Sequence, residues 1–326
     1  MAPALRLARG PAGLSALPPS AASVCPRWSV ALLLRMARPG FLVATAVGCV
    51  LGLASACAAG VFSSVPRALV TVLLALLLHA AANMLNDHAD ALNGADAANG
   101  QGLFPFTGGS RLVQSGVVRA LDMRRVALML LAVVVAAGAV LAWQAGPALW
   151  WIGLAGLALG WAYSMPPLAL MARGWGEVAV GLAWGLVVVG ADCVQRGHAA
   201  LPAVAAATGY ALLVANILVG NGFPDAASDA QVGKRTLVVR LGTRRAAWLY
   251  FALALAAHAG LVLWVAAGVL PVGALWALGA LPLSLLGAAG LWRYRDNVQR
   301  LRPSLALGIA AAVVHGLALA AGLCRL

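Results

Sequence analysis

Long apolar runs separated by short polar stretches recur along most of the chain. Each run is close to the roughly 20 residues that an α-helix needs to cross a bilayer. The runs predict nine transmembrane helices, at about residues 40–60, 66–85, 119–142, 147–164, 175–194, 200–220, 246–268, 271–291 and 304–323. The pattern therefore predicts an all-α membrane protein.

The composition narrows the class further. Hydrophobic residues make up 63% of the chain and charged residues 10%. A soluble protein of this length would need many more polar side chains to cover its surface. The net charge of +13 comes from Arg residues scattered between the apolar runs, with no basic stripe interleaved with aromatic residues, so no nucleic-acid partner is expected.

The first 28 residues differ from the rest of the chain. They are rich in Ala, Pro, Ser and Arg, and Pro18-Pro19 interrupts their only apolar stretch, so we expect no signal-peptide core. We predict a disordered basic arm over residues 1–28 and one transmembrane domain over residues 29–326. The segment from Trp28 to Met36 is predicted to lie along the membrane surface.

The distribution of basic residues predicts the orientation in the membrane. With nine helices, 19 of the 22 Lys and Arg residues fall on one side and 3 on the other. Basic residues accumulate on the cytoplasmic side of membrane proteins. We therefore expect a cytoplasmic N-terminus, in a bacterial cytoplasmic (inner) membrane.

Acidic residues are scarce and concentrated in two stretches on the predicted cytoplasmic side. Five of the nine acids lie in residues 86–96 and 221–229: Asp87, Asp90, Asp96, Asp225 and Asp229. Asp90 and Asp225 are 135 residues apart, each ending the second helix of a four-helix set. This spacing suggests an internal duplication. We expect two four-helix sets plus one helix around a central cavity, open to the cytoplasmic side and laterally to lipid.

The spacing within each stretch suggests what the carboxylates do. Residues four apart lie on one face of a helix, and this spacing relates Asn86 to Asp90, Asn221 to Asp225 and Asp225 to Asp229. Like charges on one face repel each other, so a cation is expected between them. Flexible carboxylates suit Mg²⁺, which shares itself with substrate phosphates. The alternative is that these are solvated loop residues.

Basic residues in glycine-rich turns follow both stretches. Arg111 follows Gly108-Gly109-Ser110, and Lys234-Arg235 follow Gly233. Such turns let backbone N–H groups approach anionic oxygens, which Arg and Lys neutralise. Together the acids, Mg²⁺ and these cations predict a diphosphate site.

These motifs resemble those of the UbiA superfamily of intramembrane prenyltransferases over about residues 30–320. The similarity lies in Asn86-x-x-x-Asp90-x-x-x-Gly94-x-Asp96, Asn221-x-x-x-Asp225-x-x-x-Asp229-x-x-x-Gly233-Lys234-Arg235, Gly108 to Gly116, Tyr163-Ser164, Pro166-Pro167 and Arg173 to Glu177. The Gly-x-Asp ending of the first motif resembles the 1,4-dihydroxy-2-naphthoate polyprenyltransferases of menaquinone biosynthesis. The 4-hydroxybenzoate branch typically places Asp where Gly94 stands. Gly222 departs from the family pattern, in which relatives often carry a polar residue.

The resemblance implies Mg²⁺-dependent transfer of a prenyl chain from a polyprenyl diphosphate to an aromatic acceptor. It implies Mg²⁺ ligation by Asp90, Asp96, Asp225 and Asp229, and diphosphate binding by Arg111, Lys234 and Arg235. Asn86 and Asn221 are expected to orient ligands or metal-bound water. Tyr163 is a candidate for stabilising an allylic cation, or else an interfacial anchor. The isoprenoid tail is expected to lie between helices and to leave laterally into lipid.

Four further residues are candidates, and three of them have a structural alternative. Asp87 belongs to the first acidic stretch. His79 and Asn83 precede Asn86 at helical spacing and are expected either to line the cavity or to bond a neighbouring helix. An intramembrane acid suggests a functional site, so Glu177 is a candidate, with pairing to Arg173 as the alternative.

Two other functions stay open at this point. A membrane transporter can also carry acids at corresponding points of a repeat, although its coupling acids usually lie near the midplane. A UbiA-type enzyme with another acceptor, such as 4-hydroxybenzoate, is the other alternative. The oligomeric state is left open.

Overall fold

The computed structural model describes residues 28–100 and 102–325, and all regular structure in these ranges is helical. Apart from Trp28, the predicted arm of residues 1–28 lies outside the described residues. The α-helices are α1 Val30–Ala37, α2 Pro39–Ala58, α3 Val65–Asn93, α4 Ala95–Ala98, α5 Ala120–Ala145, α6 Pro147–Ser164, α7 Gly176–Arg196, α8 Leu201–Gln231, α9 Leu237–Ala266, α10 Leu281–Tyr294 and α11 Arg302–Leu323. Short 3₁₀ helices cover Leu170–Arg173, Val272–Ala280 and Val298–Arg300.

All nine predicted spans coincide with helical segments. Within the described ranges, 8 of these segments are long and apolar enough to cross a membrane, counting Val272–Tyr294 as one. The remaining segment is α6, which covers the same residues as the fourth predicted span. α6 contains three Trp and three Gly residues among its 18.

The two helices that carry the acidic stretches are longer than predicted. The apolar runs end near residues 85 and 220, but α3 continues to Asn93 and α8 to Gln231. α3 stops at Gly94, whose φ of +83° is a left-handed conformation that glycine adopts without strain. α4 begins directly after this break and carries Asp96. Most of both acidic stretches therefore lies on helical backbone.

The predicted surface segment is the short amphipathic helix α1. Ser29 caps it by accepting a hydrogen bond from the Leu32 backbone N–H at 3.2 Å. Leu32 and Met36 are buried in a cluster with residues of α3, whereas Leu34 is exposed. One face of α1 is thus fixed to the helix that carries the first acidic stretch.

Close backbone contacts hold the other helices together. A Cβ at Gly52 of α2 would clash with the carbonyl oxygen of Val188 in α7, and a Cβ at Gly322 of α11 would clash with that of Gly273. Small residues allow such close approach between helices in membranes. The largest buried apolar cluster joins α2, α7, α8, α9 and α11, with Tyr210 of α8 fully buried in it.

Candidate active site

A cavity of about 470 Å³ lies between α2, α3, α5, α6, α7 and α8. Its polar end is formed by the last turns of α3, α6 and α8 and the first turn of α7. The polar lining comprises Arg38, Asn86, Asp90, Asp96, Asn99, Thr107, Tyr163, Glu177, Asn221, Asp225, Asp229 and Lys234. The opposite end is apolar and includes Leu74, Leu78, Val134, Leu141, Leu149, Leu157, Val187 and Val194.

The first acidic stretch reaches the cavity from the end of α3. Asn86 Nδ2 donates to Asp90 Oδ2 at 3.1 Å, as expected for residues four apart on a helix. The same Nδ2 lies 2.8 Å from Met171 Sδ, in the 3₁₀ helix before α7. Asn93 Nδ2 donates to Asp90 Oδ1 at 3.2 Å. The Asp90 carboxylate is therefore held by two amides of its own helix.

A glycine-rich loop packs against the other two acids of this stretch. The Ser110 backbone N–H donates to Asp87 Oδ2 at 3.1 Å, and Gln114 Nε2 donates to Asp96 Oδ2 at 3.0 Å. A Cβ at Gly109 would lie 2.9 Å from both Asp87 Oδ1 and Asp96 Oδ2. Glycine is thus required for the loop to approach both carboxylates.

Lys234 joins the two acidic stretches. Its Nζ donates to Asp90 Oδ1 at 2.9 Å and lies 3.5 Å from Asp229 Oδ1. Asp225 Oδ1 accepts from Asn99 Nδ2 at 2.7 Å, so a residue following α4 binds an acid of α8. The expectation that both stretches face one cavity is confirmed.

Burial and mutual repulsion shape the electrostatics of this end. Burial, together with the charges of Asp90 and Asp87, raises the pKa of the Asp96 carboxyl to about 7. Burial alone lowers the pKa of the Lys234 ammonium, but the carboxylates of Asp90 and Asp229 more than offset this and raise it. One buried ammonium is thus shared among several carboxylates, and the site retains an affinity for further positive charge.

The oxygen donors of this end fit a hard cation such as Mg²⁺. Asn221 Oδ1 is buried without a hydrogen-bond partner and belongs to the cavity lining, whereas Asp87 is absent from the lining. Carboxylate and amide oxygens are the ligand types that Mg²⁺ accepts. Among residues 28–100 and 102–325, no three His, Cys, Asp or Glu side chains already converge on one point suited to a metal.

Of the other predicted site residues, some line the cavity and some do not. Tyr163 and Glu177 line the cavity, whereas Arg111 and Arg235 are absent from its lining. Arg111 has a positive φ of 61° and donates through Nη1 to the backbone carbonyls of Asp96 and Asn99, which places it behind the acids. Arg235 is exposed, and its backbone N–H donates to the Ala172 carbonyl at 2.9 Å.

Two polar residues of α3 line the cavity and also bond neighbouring helices. His79 Nδ1 lies 2.8 Å from Thr45 Oγ1 on α2, and its ring meets Trp184 of α7 edge-on. Asn83 Nδ2 donates to the Ala37 carbonyl at 3.0 Å. His79 and Asn83 therefore do both of the things considered for them: they line the cavity and they bond a neighbouring helix.

The pairing of Glu177 with Arg173 is wrong. Arg173 Nη2 donates to the Pro167 carbonyl at 2.8 Å and is turned to solvent. Glu177 is buried in the first turn of α7, on the cavity side. The 3₁₀ turn and Gly174, with its positive φ, separate the directions of the two side chains.

Arg38 is a site residue that could not be selected from the sequence alone. It joins α1 to α2 with a positive φ of 56°, and its Nη1 lies 3.6 Å from Asp87 Oδ1. Its guanidinium also lies 4.7 Å from the centre of the Phe41 ring. In the sequence Arg38 is one of several basic residues before the first span, so it counts only toward orientation.

The departure at Gly222 has a packing reason. A Cβ at Gly222 would lie 2.7 Å from Val238 Cγ2 of α9, so any side chain would collide with that helix. Gly222 also lines the cavity.

Comparison with known proteins identifies relatives of this chain. Residues 41–312 match the model of the UbiA prenyltransferase family. A 1,4-dihydroxy-2-naphthoate octaprenyltransferase from Mycobacterium tuberculosis is 32% identical over 79% of this chain and 85% of its own. One of the same name from Mycobacterium leprae is 32% identical over 67% of this chain and 71% of its own.

Solved structures share the fold. A UbiA homolog from Aeropyrum pernix K1 superposes with a TM-score of 0.66 at 19% identity, covering 84% of this chain and 96% of that one. A homolog from Archaeoglobus fulgidus bound to GPP and Mg²⁺ gives a TM-score of 0.55 at 16% identity, covering 89% of this chain and 99% of that one. The all-α arrangement is therefore the fold of these solved UbiA homologs.

Proposed function

The chain belongs to the UbiA prenyltransferase family, and from this we propose that it transfers a polyprenyl chain to 1,4-dihydroxy-2-naphthoate in menaquinone biosynthesis. Because the chain belongs to this family, it is an integral membrane prenyltransferase and not a transporter. The proposal for the acceptor rests on the shared name of the relatives, which is 1,4-dihydroxy-2-naphthoate octaprenyltransferase. The Gly94-x-Asp96 ending of the first motif supports the same branch.

The two ends of the cavity suit the two ends of a polyprenyl diphosphate. Carboxylates and Lys234 form the polar end, and the lining of α7 beyond Glu177 is apolar as far as Val194. These 17 helical steps correspond to about 25 Å, which is most of the hydrocarbon thickness of a bilayer. We assign the diphosphate to the polar end and the first isoprene units to the apolar channel.

The tail is proposed to leave the channel between α5 and α6. Val135 of α5 and Leu154 of α6 line the cavity and yet are 51% and 53% exposed. In a membrane these exposed faces contact lipid. A chain longer than the channel can therefore extend into the bilayer without displacing a helix.

The acids are proposed to hold Mg²⁺ for the leaving group. Asp90, Asp96, Asp225 and Asp229 would bind it, with Asn86 and Asn221 in support; when bound, Mg²⁺ supplies positive charge that stabilises the departing diphosphate. The A. fulgidus homolog bound to GPP and Mg²⁺ supports this requirement. Lys234 adds a fixed ammonium beside the same oxygens. Arg111 and Arg235 remain candidates for diphosphate binding, and their positions would require movement of their side chains.

The surroundings of the allylic carbon follow from this placement. Breaking the C–O bond leaves positive charge on that carbon, and water must be kept from it. Tyr163 stands at the end of α6 between the acids and the apolar channel, where its ring can stabilise the charge. Apolar side chains beyond it exclude water.

The membrane and its sidedness are also part of the proposal. Bacterial relatives and the bias of basic residues support a cytoplasmic membrane with the polar end of the cavity facing the cytoplasm. A water-soluble naphthoate would then enter from the cytoplasm, and the prenyl donor from the lipid.

Purified protein in detergent tests the proposal directly. It is given a polyprenyl diphosphate and Mg²⁺, with 1,4-dihydroxy-2-naphthoate or 4-hydroxybenzoate in separate reactions, and prenylated product and diphosphate are measured. We expect product with the naphthoate alone, and none after chelation of Mg²⁺ by EDTA. Product with 4-hydroxybenzoate alone would move the enzyme to the ubiquinone pathway, and no product with either would contradict both acceptors.

A further inference from the structure

Glu177 is an acid of the cavity that the proposed diphosphate site does not use. It is 7% exposed and stands in the first turn of α7, on the cavity side. A Cβ on its neighbour Gly176 would lie 3.2 Å from the Met171 Cα and 3.5 Å from Tyr163 Cε2. This close packing fixes Glu177 near Tyr163 and near Met171, whose sulfur contacts Asn86.

Glu177 differs from the aspartates of the site in lacking a partner. Each aspartate accepts a hydrogen bond or forms an ion pair with another residue, as Asp90 does with Lys234 and Asp225 with Asn99. Within residues 28–100 and 102–325, Glu177 forms no ion pair and accepts no hydrogen bond except from its own backbone N–H. Burying a carboxylate without partners is costly. Buried polar groups usually have a partner, and a ligand in the cavity can supply it.

The position of Glu177 along the cavity indicates which part of the substrates it meets. Glu177 shares the polar end of the cavity with Asp90 and Lys234. The lining residues that follow on α7, among them Val180, Ala183 and Val187, are apolar. The carbon that joins diphosphate to tail must sit at this border. The acceptor ring has to reach the same carbon, so it must also pass Glu177.

Resting on the proposed prenyl transfer, we infer that Glu177 binds the aromatic acceptor by accepting a hydrogen bond from a ring hydroxyl. A carboxylate accepts hydrogen bonds and cannot donate them. It also repels the carboxylate of the acceptor, which must therefore point away from α7. These two effects together select one orientation of a hydroxylated aromatic acid. Glu177 is thus a residue that determines acceptor specificity.

A purely structural role predicts a different behaviour. An acid in the first turn of a helix interacts favourably with the helix dipole. In that case its removal would lower the thermal stability of the protein. The affinity for different acceptors would then change equally or not at all. A binding role and a structural role of Glu177 can therefore be distinguished by the relative affinities of the protein for different acceptors. A loss of stability alone does not change these relative affinities.

The test compares ligands that differ by one hydroxyl. The full chain in detergent, with Mg²⁺ and an unreactive thiodiphosphate analogue of the donor, is titrated with 1,4-dihydroxy-2-naphthoate, 1-hydroxy-2-naphthoate and 4-hydroxy-2-naphthoate. Loss of a hydrogen bond to a charged group should weaken binding of one monohydroxy compound by about ten- to hundredfold in the wild type. Glu177→Leu should abolish this preference, and Glu177→Gln, which keeps an oxygen acceptor without charge, should reduce it.

The remaining outcomes decide against the inference or against the proposed acceptor. If Glu177→Leu keeps the preference between the dihydroxy and monohydroxy compounds, the proposed role of Glu177 is wrong, whatever the change in stability. Asp296 is an exposed acid outside the cavity, so Asp296→Asn is the matched control and should keep the wild-type preference. If the wild type binds none of the naphthoates, the proposed acceptor fails. The same comparison with 4-hydroxybenzoate and benzoate then decides the role of Glu177 independently.

Discussion

α3 and α8 carry the same pattern of Asn and Asp in different surroundings. In the most apolar 18 residues of each helix, 28% of α3 is buried and 72% of α8. α3 faces lipid and the cavity, whereas α8 lies at the centre of the largest apolar cluster. The acids on α3 are followed by a break at Gly94, but those on α8 continue on one helix past Pro224.

This difference suggests that the helices around α3 and those around α8 have different roles. In the cavity wall formed by α3, α5 and α6, α3 and α5 have only 28% of their most apolar residues buried, and Gly138 of α5 and Gly153 of α6 leave open space beside the cavity. α8 and the helices around it form a tightly packed wall that holds Asp225 and Asp229 in place. The repeated pattern of Asn and Asp therefore has one copy on a largely exposed helix and one on a largely buried helix.

Removing one acid from each wall is expected to have the largest effect. Asp90→Asn and Asp225→Asn should each lower kcat/KM by more than about 100-fold, because even the outer partners of metal ligands are commonly worth 10–100-fold. Prenyl transfer at saturating Mg²⁺ is the measurement, with thermal unfolding to show that both variants fold. A wild-type rate in either variant would mean that its wall holds no essential ligand.

Glycine substitutions on the two walls should differ in their effect on stability. A Cβ at Gly209 of α8 would lie 3.0 Å from both the Ala257 carbonyl oxygen and His315 Nε2. Gly209→Val should therefore destabilise the protein by about 2 kcal/mol through overpacking. Gly153 of α6 has no atom within 4 Å of an added Cβ, and Gly153→Val should change stability by less than about 0.5 kcal/mol. Unfolding in detergent measures both, and equal losses would refute the contrast between the walls.

The smallest expected effect concerns the length of the donor. Gly138 of α5 lines the apolar channel, and an added Cβ would meet no atom within 4 Å. Gly138→Leu should fill the channel and lower kcat/KM for a long polyprenyl diphosphate about tenfold relative to geranyl diphosphate, as expected for a changed apolar pocket. Gly260→Leu is the control, because Gly260 has equal space around it and lies outside the cavity. An unchanged ratio in Gly138→Leu would place the tail elsewhere.

The helices and the meeting of the two acidic stretches could be predicted from the sequence. Apolar runs of bilayer length and acids four apart are local signals, and both depend on the geometry of one helix. The predicted spans for α3 and α8 ended too early because they were drawn from hydrophobicity. Helical hydrogen bonding continues until a residue such as Gly94 ends it.

Contacts between distant residues could not be predicted in the same way. Arg38 reaches Asp87 and Asn99 reaches Asp225 only through the tertiary packing, and neither pair has a characteristic spacing. Arg111 was expected at the diphosphate because it follows a glycine-rich turn. Its side chain instead bonds the carbonyls of Asp96 and Asn99. A motif indicates which residues are near the site, and the direction of each side chain depends on the whole fold.

The break at Gly94 determines where the last acid of the first stretch points. On an uninterrupted helix Asp96 would point about 120° away from Asp90. Ending α3 at Gly94 lets the chain turn and bring Asp96 back to the cavity. An Asp at position 94, as the 4-hydroxybenzoate branch typically has, would lie four residues after Asp90 on an unbroken helix and would need no turn. Exchanging one arrangement for the other while keeping the number of carboxylates therefore requires changes at both positions 94 and 96.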